Sequence, residues 1–268
     1  MEPVQAYTIT ADDPEITEEE RDQWEKFWTM DAAGIERFAG PEKEAEAAQD
    51  QMVWRKFNGT IQKREDGYCI RLPWKEQLAT LTDNRALAYK RLVNVWSSIS
   101  RNSDLLEQYN NVFHEQLRRN IIEPVNEQEP THGEQLHYIP HQPVITPQKF
   151  TNKLRIVFDA SAHYKGCPSL NDALYRGPVI LPSLWFRIAK IAITSDVEKA
   201  FLQVHLQGQD RDSTRFFWLY DHKSAPGTDN TRTFIFTRVT FVLKSSPFLS
   251  AGTTRYHLDN YVDESPLD

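Results

Sequence analysis

Residues 191–201, with the sequence IAITSDVEKAF, constrain the interpretation of this chain more than any other stretch. The apolar residues Ile191, Ala192 and Ile193 precede Asp196, which predicts a buried strand that ends in a carboxylate. Burying a carboxylate is costly unless a hydrogen-bond donor, a cation or a metal ion compensates. The segment alone leaves two alternatives open: an ordinary aspartate where a strand meets a turn, or a metal ligand for phosphoryl transfer.

A second segment, KLRIVFD at 153–159, combines strand alternation with positive charge. Alternation places Lys153, Arg155 and Val157 on one side of the strand. Two cations two residues apart could hold a triphosphate, the arginine through paired hydrogen bonds and the lysine as a point charge, while Asp159 could hold the arginine in place. The alternative is a solvated face of an antiparallel strand.

A third segment, FVLKSSPF at 241–248, has the pattern of a strand, a turn and the start of a helix. Proline suits the first turn of a helix, so the helix is predicted to begin at Ser246-Pro247. Backbone N–H groups at a helix N-terminus attract phosphate groups. Taken alone, however, this segment is only a helix cap.

Hydrophobic periodicity in the rest of the chain predicts a mixed α+β fold. Helices are predicted over 41–57, 82–101, 103–120, 181–189 and 246–260. A hairpin with a turn at Asp66-Gly67 is predicted over 60–72, and strands over 138–145, 153–158, 191–196, 201–206, 215–220 and 233–240. A polar stretch at 124–131 separates a mainly helical region, 17–125, from the strand-rich region that follows, and 1–16 is expected to be a loose tail.

Acidic residues are concentrated at the start of the chain. The first 50 residues contain 15 of the 38 acidic and 4 of the 31 basic side chains, so the remaining 218 contain 23 acidic and 27 basic ones. The net charge of −7 therefore does not exclude a phosphate-binding face in the later region. The sequence contains no run of about 18 apolar residues, so no membrane-spanning helix is expected.

The three segments occur in a fixed order together with shorter motifs: YIPHQPVI (138–145), SLND (169–172) and Arg211-Asp212 followed by RFFW (215–218). In this order the set resembles the reverse transcriptase region of the Pol polyprotein of BEL/Pao-type retrotransposons. The motifs up to 172 resemble its fingers region, TSDVEKAF (194–201) its first metal-binding motif, and SSPF (245–248) the helix motif beneath the template. Three earlier motifs resemble the linker between protease and polymerase in such polyproteins: EKFW (25–28), DGYCIRLP (66–73) and AYKRL (88–92).

The resemblance implies an RNA-directed DNA polymerase, with residues 132–268 forming a partial right-hand domain of fingers and incomplete palm. Its partners would be an RNA or DNA template-primer, dNTPs and the rest of a Pol polyprotein, in a cytoplasmic virus-like particle and without a membrane. Asp196 would be the catalytic residue and would ligate Mg²⁺ or Mn²⁺ together with the Val197 carbonyl. The dNTP would be bound by Lys153, Arg155 and the aromatic gate Phe201, and the template-primer would lie near Lys244, Ser245, Ser246 and Pro247.

Two departures from the family pattern bear on activity. Val242 stands where glycine is usual, and a β-branched residue disfavours positive φ. The paired-aspartate hairpin, aromatic-x-Asp-Asp, is not evident either. Tyr261-Val262-Asp263-Glu264 is an unsuitable substitute, because a helix from Ser246 would occupy the spacing and only four residues follow.

The sequence therefore leaves three functional hypotheses. The first is a reverse transcriptase segment of a polyprotein that functions as an RNA-directed DNA polymerase, although the isolated chain is expected to be inactive because its second carboxylate pair is missing. The second is a retrotransposon remnant that binds nucleic acid or protein without catalysis, and the third is an unrelated α+β interaction module. The histidines His132, His137 and His141 could suggest a metal site, but without a nearby cysteine we expect them at the surface or facing a template.

Overall fold

The computed structural model describes residues 41–76, 81–128, 130–131, 133, 135–147, 152–180 and 197–261. The chain divides into two compact units, one of Met1–Met52 with Ile180–Glu198 and one of Val53–Val179 with Lys199–Asp268. Asp196, the tail at 1–16, the predicted helix over 181–189 and the predicted strand over 191–196 lie outside the described residues. The contacts reported below all lie within the second unit.

Helices and short strands alternate along the described chain, which confirms the α+β class. The helices are α1 (Pro41–Thr60), α2 (Arg85–Ile99), α3 (Ser103–Arg118), α4 (Leu170–Ala173), α5 (Gly208–Arg211) and α6 (Ser246–Tyr261). The strands are β1 (Gln62–Arg64), β2 (Gly67–Ile70), β3 (Ile122–Pro124), β4 (His141–Pro147), β5 (Asn152–Phe158), β6 (His205–Leu206), β7 (Phe216–Leu219) and β8 (Thr231–Phe236). No helix among the described residues is both long and apolar enough to cross a membrane.

The strands form three small sheets. Their orders are β1-β2-β6, β3-β8-β7 and the two-stranded hairpin β4-β5. The pair β2-β6 is parallel, whereas the other pairs are antiparallel. Because β3 pairs with β8, residues on both sides of the polar stretch 124–131 share one sheet and one compact unit. The division into a linker region and a polymerase-like region stays a prediction.

The predicted strand over 201–206 is wrong in its first half. Residues Ala200–Gln203 form a 3-10 helix, and only His205–Leu206 is a strand. The chain turns at Lys199, where φ is 52°, a left-handed conformation that residues with a side chain seldom adopt. The amide of Leu202 then donates to the Lys199 carbonyl at 2.8 Å, which closes the 3-10 turn.

A buried aromatic cluster fills the space between α3, the hairpin β4-β5 and the sheet β3-β8-β7. Its rings lie with centroids about 5–6 Å apart and belong to Tyr109, Phe113, His141, Phe158, Phe216, Trp218, Phe234 and Phe236. The expected surface position of two histidines is therefore wrong: His137 and His141 are both buried. The sequence pattern did not reveal that α3 and the sheet cover His141, and His132 lies outside the described residues.

His141 is held in one tautomer. Its Nε2 lies 2.8 Å from the Phe217 carbonyl, which can only accept, so Nε2 carries the proton. Its Nδ1 then accepts from the Tyr109 hydroxyl at 2.6 Å. Burial lowers the pKa of His141 to about 4, although the bond to Phe217 opposes this. Burial alone lowers the pKa of His137 to about 4 as well.

Acidification is expected to destabilise the fold through these buried histidines. An unfolded histidine has a pKa near 6.5, whereas the folded His141 has a pKa of about 4. Between these pH values the imidazole is protonated in the unfolded chain but stays neutral in the folded chain. Stability contributed by His141 is thus present above about pH 6.5 and is lost as the pH falls towards 4, by about 2 kcal/mol at pH 5. Urea unfolding at pH 7 and pH 5 measures this loss.

His141→Gln should reduce this pH dependence, because glutamine has no proton to gain. The matched change is His114→Gln, at an exposed position of α3, where the imidazole is hydrated before and after unfolding. It should alter the pH dependence less than His141→Gln. Equal pH dependence of His141→Gln and the unsubstituted protein would contradict the assignment.

Candidate nucleic-acid interface

The start of α6 is built from two buried serines and an exposed proline. Ser245 and Ser246 have no exposed surface, and the Ser246 hydroxyl donates to the Thr240 carbonyl. Pro247 is exposed in the first helical turn, as its missing N–H allows. The predicted helix over 246–260 is confirmed as Ser246–Tyr261. The serine hydroxyls face protein, so a strand passing here would meet Lys244, Pro247 and backbone groups.

Asn171 joins this turn to the end of β5. Its Nδ2 donates to the Val242 carbonyl at 3.2 Å and to the Ser161 hydroxyl at 2.8 Å. Its Oδ1 accepts from the Lys244 amide at 2.9 Å. One side-chain amide therefore connects the neighbouring motifs 153–162 and 169–172 to the distant motif 241–248.

A capping box holds Asn171 in position. The Ser169 hydroxyl accepts from the Asp172 amide at 3.2 Å, and the Asp172 carboxylate accepts from the Ser169 amide at 2.9 Å. The hydrogen bonds that the Asp172 carboxylate accepts, first from the Ser169 backbone N–H and then from the Ser169 hydroxyl at 2.7 Å, lower its pKa below the usual value. His163, at 2.8 Å, contributes further. The backbone N–H of Asn171 donates to the Ala160 carbonyl at 3.0 Å, so both the backbone and the side chain of Asn171 are held by hydrogen bonds.

Val242 needs no glycine-like backbone here. Among the described residues with a side chain, positive φ occurs at Asn120, Lys165 and Lys199. Val242 is not one of them, and its carbonyl is bound by Asn171. The concern that valine disturbs this turn therefore does not apply to this structure.

The hairpin β4-β5 presents Arg155 to solvent. Arg155 pairs with Val144, and Lys153 pairs with Thr146, so the two basic positions lie on the same face. Arg155 is exposed, whereas the side chain of Lys153 is outside the described part of the structure. Asp159 does not take the role expected of it, because its Oδ1 accepts from the Ser161 amide at 3.1 Å and so shapes the turn after β5.

The remaining predicted site residues are Phe201, Val197 and Asp196. Phe201 is half-buried in the 3-10 helix Ala200–Gln203, which packs against α6. Val197 is exposed and belongs to the first compact unit, and Asp196 lies outside the described residues. Within the described ranges no group of three or more His, Cys, Asp or Glu side chains could hold a metal ion. Metal binding at Asp196 and Val197 stays a prediction.

Residues before 124 contribute to the same region. Lys75 donates its backbone N–H to the Ala173 carbonyl at 2.9 Å, directly beside the capping box. Trp54 and Phe57 at the end of α1 contact Phe248 of α6, with ring centroids 5.9 and 5.3 Å away. The start of α6 is thus supported by the region that resembles a linker.

Asp210 connects the segment before β7 to the motif DGYCIRLP (66–73) and to Trp74, which follows it. Its carboxylate is buried and accepts from Arg71 Nε at 2.8 Å, the Leu72 amide at 2.7 Å and Trp74 Nε1 at 2.9 Å. Sequence reasoning missed Asp210, since its partners lie 136 to 139 positions away. It also missed Asn171, although the Ser-x-x-Asp spacing at Ser169 is a capping signal that could have marked the site.

No protein-family model matches the chain, and no curated protein matches it. The resemblance to BEL/Pao-type reverse transcriptases therefore rests on the quoted motifs and on their arrangement.

Proposed function

We propose that this chain is a reverse transcriptase segment of a BEL/Pao-type retroelement Pol polyprotein, which binds a primed template but lacks a complete catalytic centre. The observation that carries the proposal is the Asn171 amide, which joins motifs at 153–162, 169–172 and 241–248. A shared site requires such motifs to meet in space.

The electrostatics of the hairpin support the same proposal. Arg155 is exposed, and its guanidinium is suited to paired hydrogen bonds with phosphate oxygens. In the proposed reaction a primer 3′-hydroxyl attacks the α-phosphate of a dNTP in line and releases pyrophosphate. Mg²⁺ or Mn²⁺ held by Asp196 and the Val197 carbonyl would supply charge stabilisation. Phe201 would pack beneath the sugar and disfavour a 2′-hydroxyl. The setting would be a cytoplasmic virus-like particle.

The 268-residue chain is expected to bind primed RNA without extending it. A basic hairpin and the turn before α6 supply phosphate contacts, whereas a single catalytic carboxylate cannot hold two metal ions well. Fluorescence anisotropy with a labelled primed RNA measures binding, and dNTP incorporation with Mg²⁺ or Mn²⁺ measures extension. Lys244→Gln, in the turn expected to lie near the template-primer, should weaken binding severalfold. Arg101→Gln, at an exposed position between α2 and α3, should leave it unchanged.

Several outcomes would contradict the proposal. Absence of binding would favour an unrelated interaction module. Incorporation that survives Asp263→Asn but not Asp196→Asn would show a complete site with other carboxylates. Incorporation lost in both variants would identify Tyr261–Glu264 as the second metal-binding motif.

A further inference from the structure

Lys75 and Lys244 are anchored to the same short helix. The Lys75 amide donates to the Ala173 carbonyl at 2.9 Å, and the Lys244 amide donates to Asn171 Oδ1 at 2.9 Å. Their two acceptors are only two positions apart on α4. An antiparallel bridge between Trp74 and Leu174 further fixes the strand segment that carries Lys75. The backbones of both lysines are therefore held side by side by main-chain and amide contacts.

Both lysines are half-buried, and the charge of Lys75 acts on Lys244. Lys244 is half-buried, and its pKa is lowered first by burial and then by the charge of Lys75. The nearest acid, Asp172, opposes this shift, but its carboxylate is already bound by Ser169 and His163. In the described part of the chain neither lysine forms an ion pair with a carboxylate. The charge of Asp172 offsets part of this positive charge, and the two lysines leave an excess of positive charge here.

A phosphate group would supply the missing charge. Like charges held together repel, and an anion between them removes the repulsion while accepting hydrogen bonds from both. Lys75 Nζ lies 6.0 Å from the centre of the Tyr175 ring. Exposed Pro247 lies three positions after Lys244, where the motifs place the template.

We propose that Lys75 and Lys244 together hold one backbone phosphate of the template strand, so that the linker-like region forms part of the nucleic-acid-binding surface. This inference rests on the proposed function. It adds a basic contact from outside the polymerase-like region, held in place by α4. The ligand is a phosphodiester, and the triphosphate of a dNTP is assigned to Arg155 instead.

Substitution of either lysine tests the shared phosphate. In anisotropy titrations with labelled primed RNA, Lys75→Gln and Lys244→Gln should each weaken binding about fivefold to tenfold and lower the salt slope by about one. The double variant should lose less than the product of the two single effects, because both lysines hold the same group. Lys223→Gln, at an exposed position in the loop between β7 and β8, is the control and should bind as the unsubstituted chain does.

Stability without nucleic acid separates binding from a structural role. Lys75→Gln should leave the unfolding temperature unchanged or raise it, because the substitution removes a repulsion. If the unsubstituted chain binds primed RNA and Lys75→Gln binds equally well, the inference is overturned and the proposed function stands. If the unsubstituted chain does not bind at all, both are overturned.

Discussion

Asp210→Ala is expected to lower the free energy of unfolding by about 4 kcal/mol. The substitution leaves the Arg71 guanidinium, the Leu72 amide and the Trp74 indole N–H without their shared acceptor. Each unsatisfied buried donor costs about 1–3 kcal/mol, and removing one partner of a buried ion pair costs about 3–5 kcal/mol. About a third of the Arg71 side chain stays in water, which lowers the cost of breaking the ion pair and brings the expected total below the simple sum of these values.

Urea unfolding of Asp210→Ala beside Asp229→Ala measures this effect. Asp229 is exposed in the loop between β7 and β8, so its loss should change stability by less than about 0.5 kcal/mol. Asp210→Asn should fall between the two, because the amide keeps one acceptor. Equal stability of Asp210→Ala and Asp229→Ala would show that the leading motif is not held by this carboxylate.

Gly177→Ala is expected to destabilise the protein by about 3–4 kcal/mol. Gly177 has φ of 80°, and a Cβ there would lie 2.4 Å from two ring atoms of Phe248, closer than atoms can pack. The left-handed conformation costs about 1–2 kcal/mol for a residue with a side chain, and overpacking adds about 1–3 kcal/mol. Phe248 must then move, and with it the start of α6 that follows Lys244.

Gly166→Ala is the matched control for Gly177→Ala. Gly166 has φ of 76°, but a Cβ there would meet nothing within 4 Å. Its substitution should lower the free energy of unfolding only by the cost of the left-handed conformation, about 1 kcal/mol. The difference between the two variants in thermal unfolding therefore measures the contact with Phe248. Gly177→Ala should also weaken binding of primed RNA. Equal destabilisation by both substitutions would show that the contact is unimportant.

Local patterns were sufficient for most of the elements. Apolar periodicity predicted α2 and α3 within a few residues, Pro41 and Ser246-Pro247 predicted where α1 and α6 begin, and the Asp66-Gly67 turn predicted the hairpin β1-β2. The failure at 201–206 has a local cause, the left-handed turn at Lys199, which no glycine or asparagine marks in the sequence. The predicted surface position of His137 and His141 was wrong for a different reason, because the burial of a side chain depends on elements that are distant in the chain.

The sequence by itself determined the order of the motifs, the face of β5 that carries Arg155 and the helix that begins at Ser246. Only the tertiary structure decided which side chains connect them. Asn171 reaches a turn more than 70 positions away, and Asp210 binds residues about 140 positions before it. Hydrogen bonds over such separations depend on how sheets and helices pack, and packing has no period that a sequence pattern can reveal. The proximity of Lys75 and Lys244 likewise depends on packing and not on a sequence pattern.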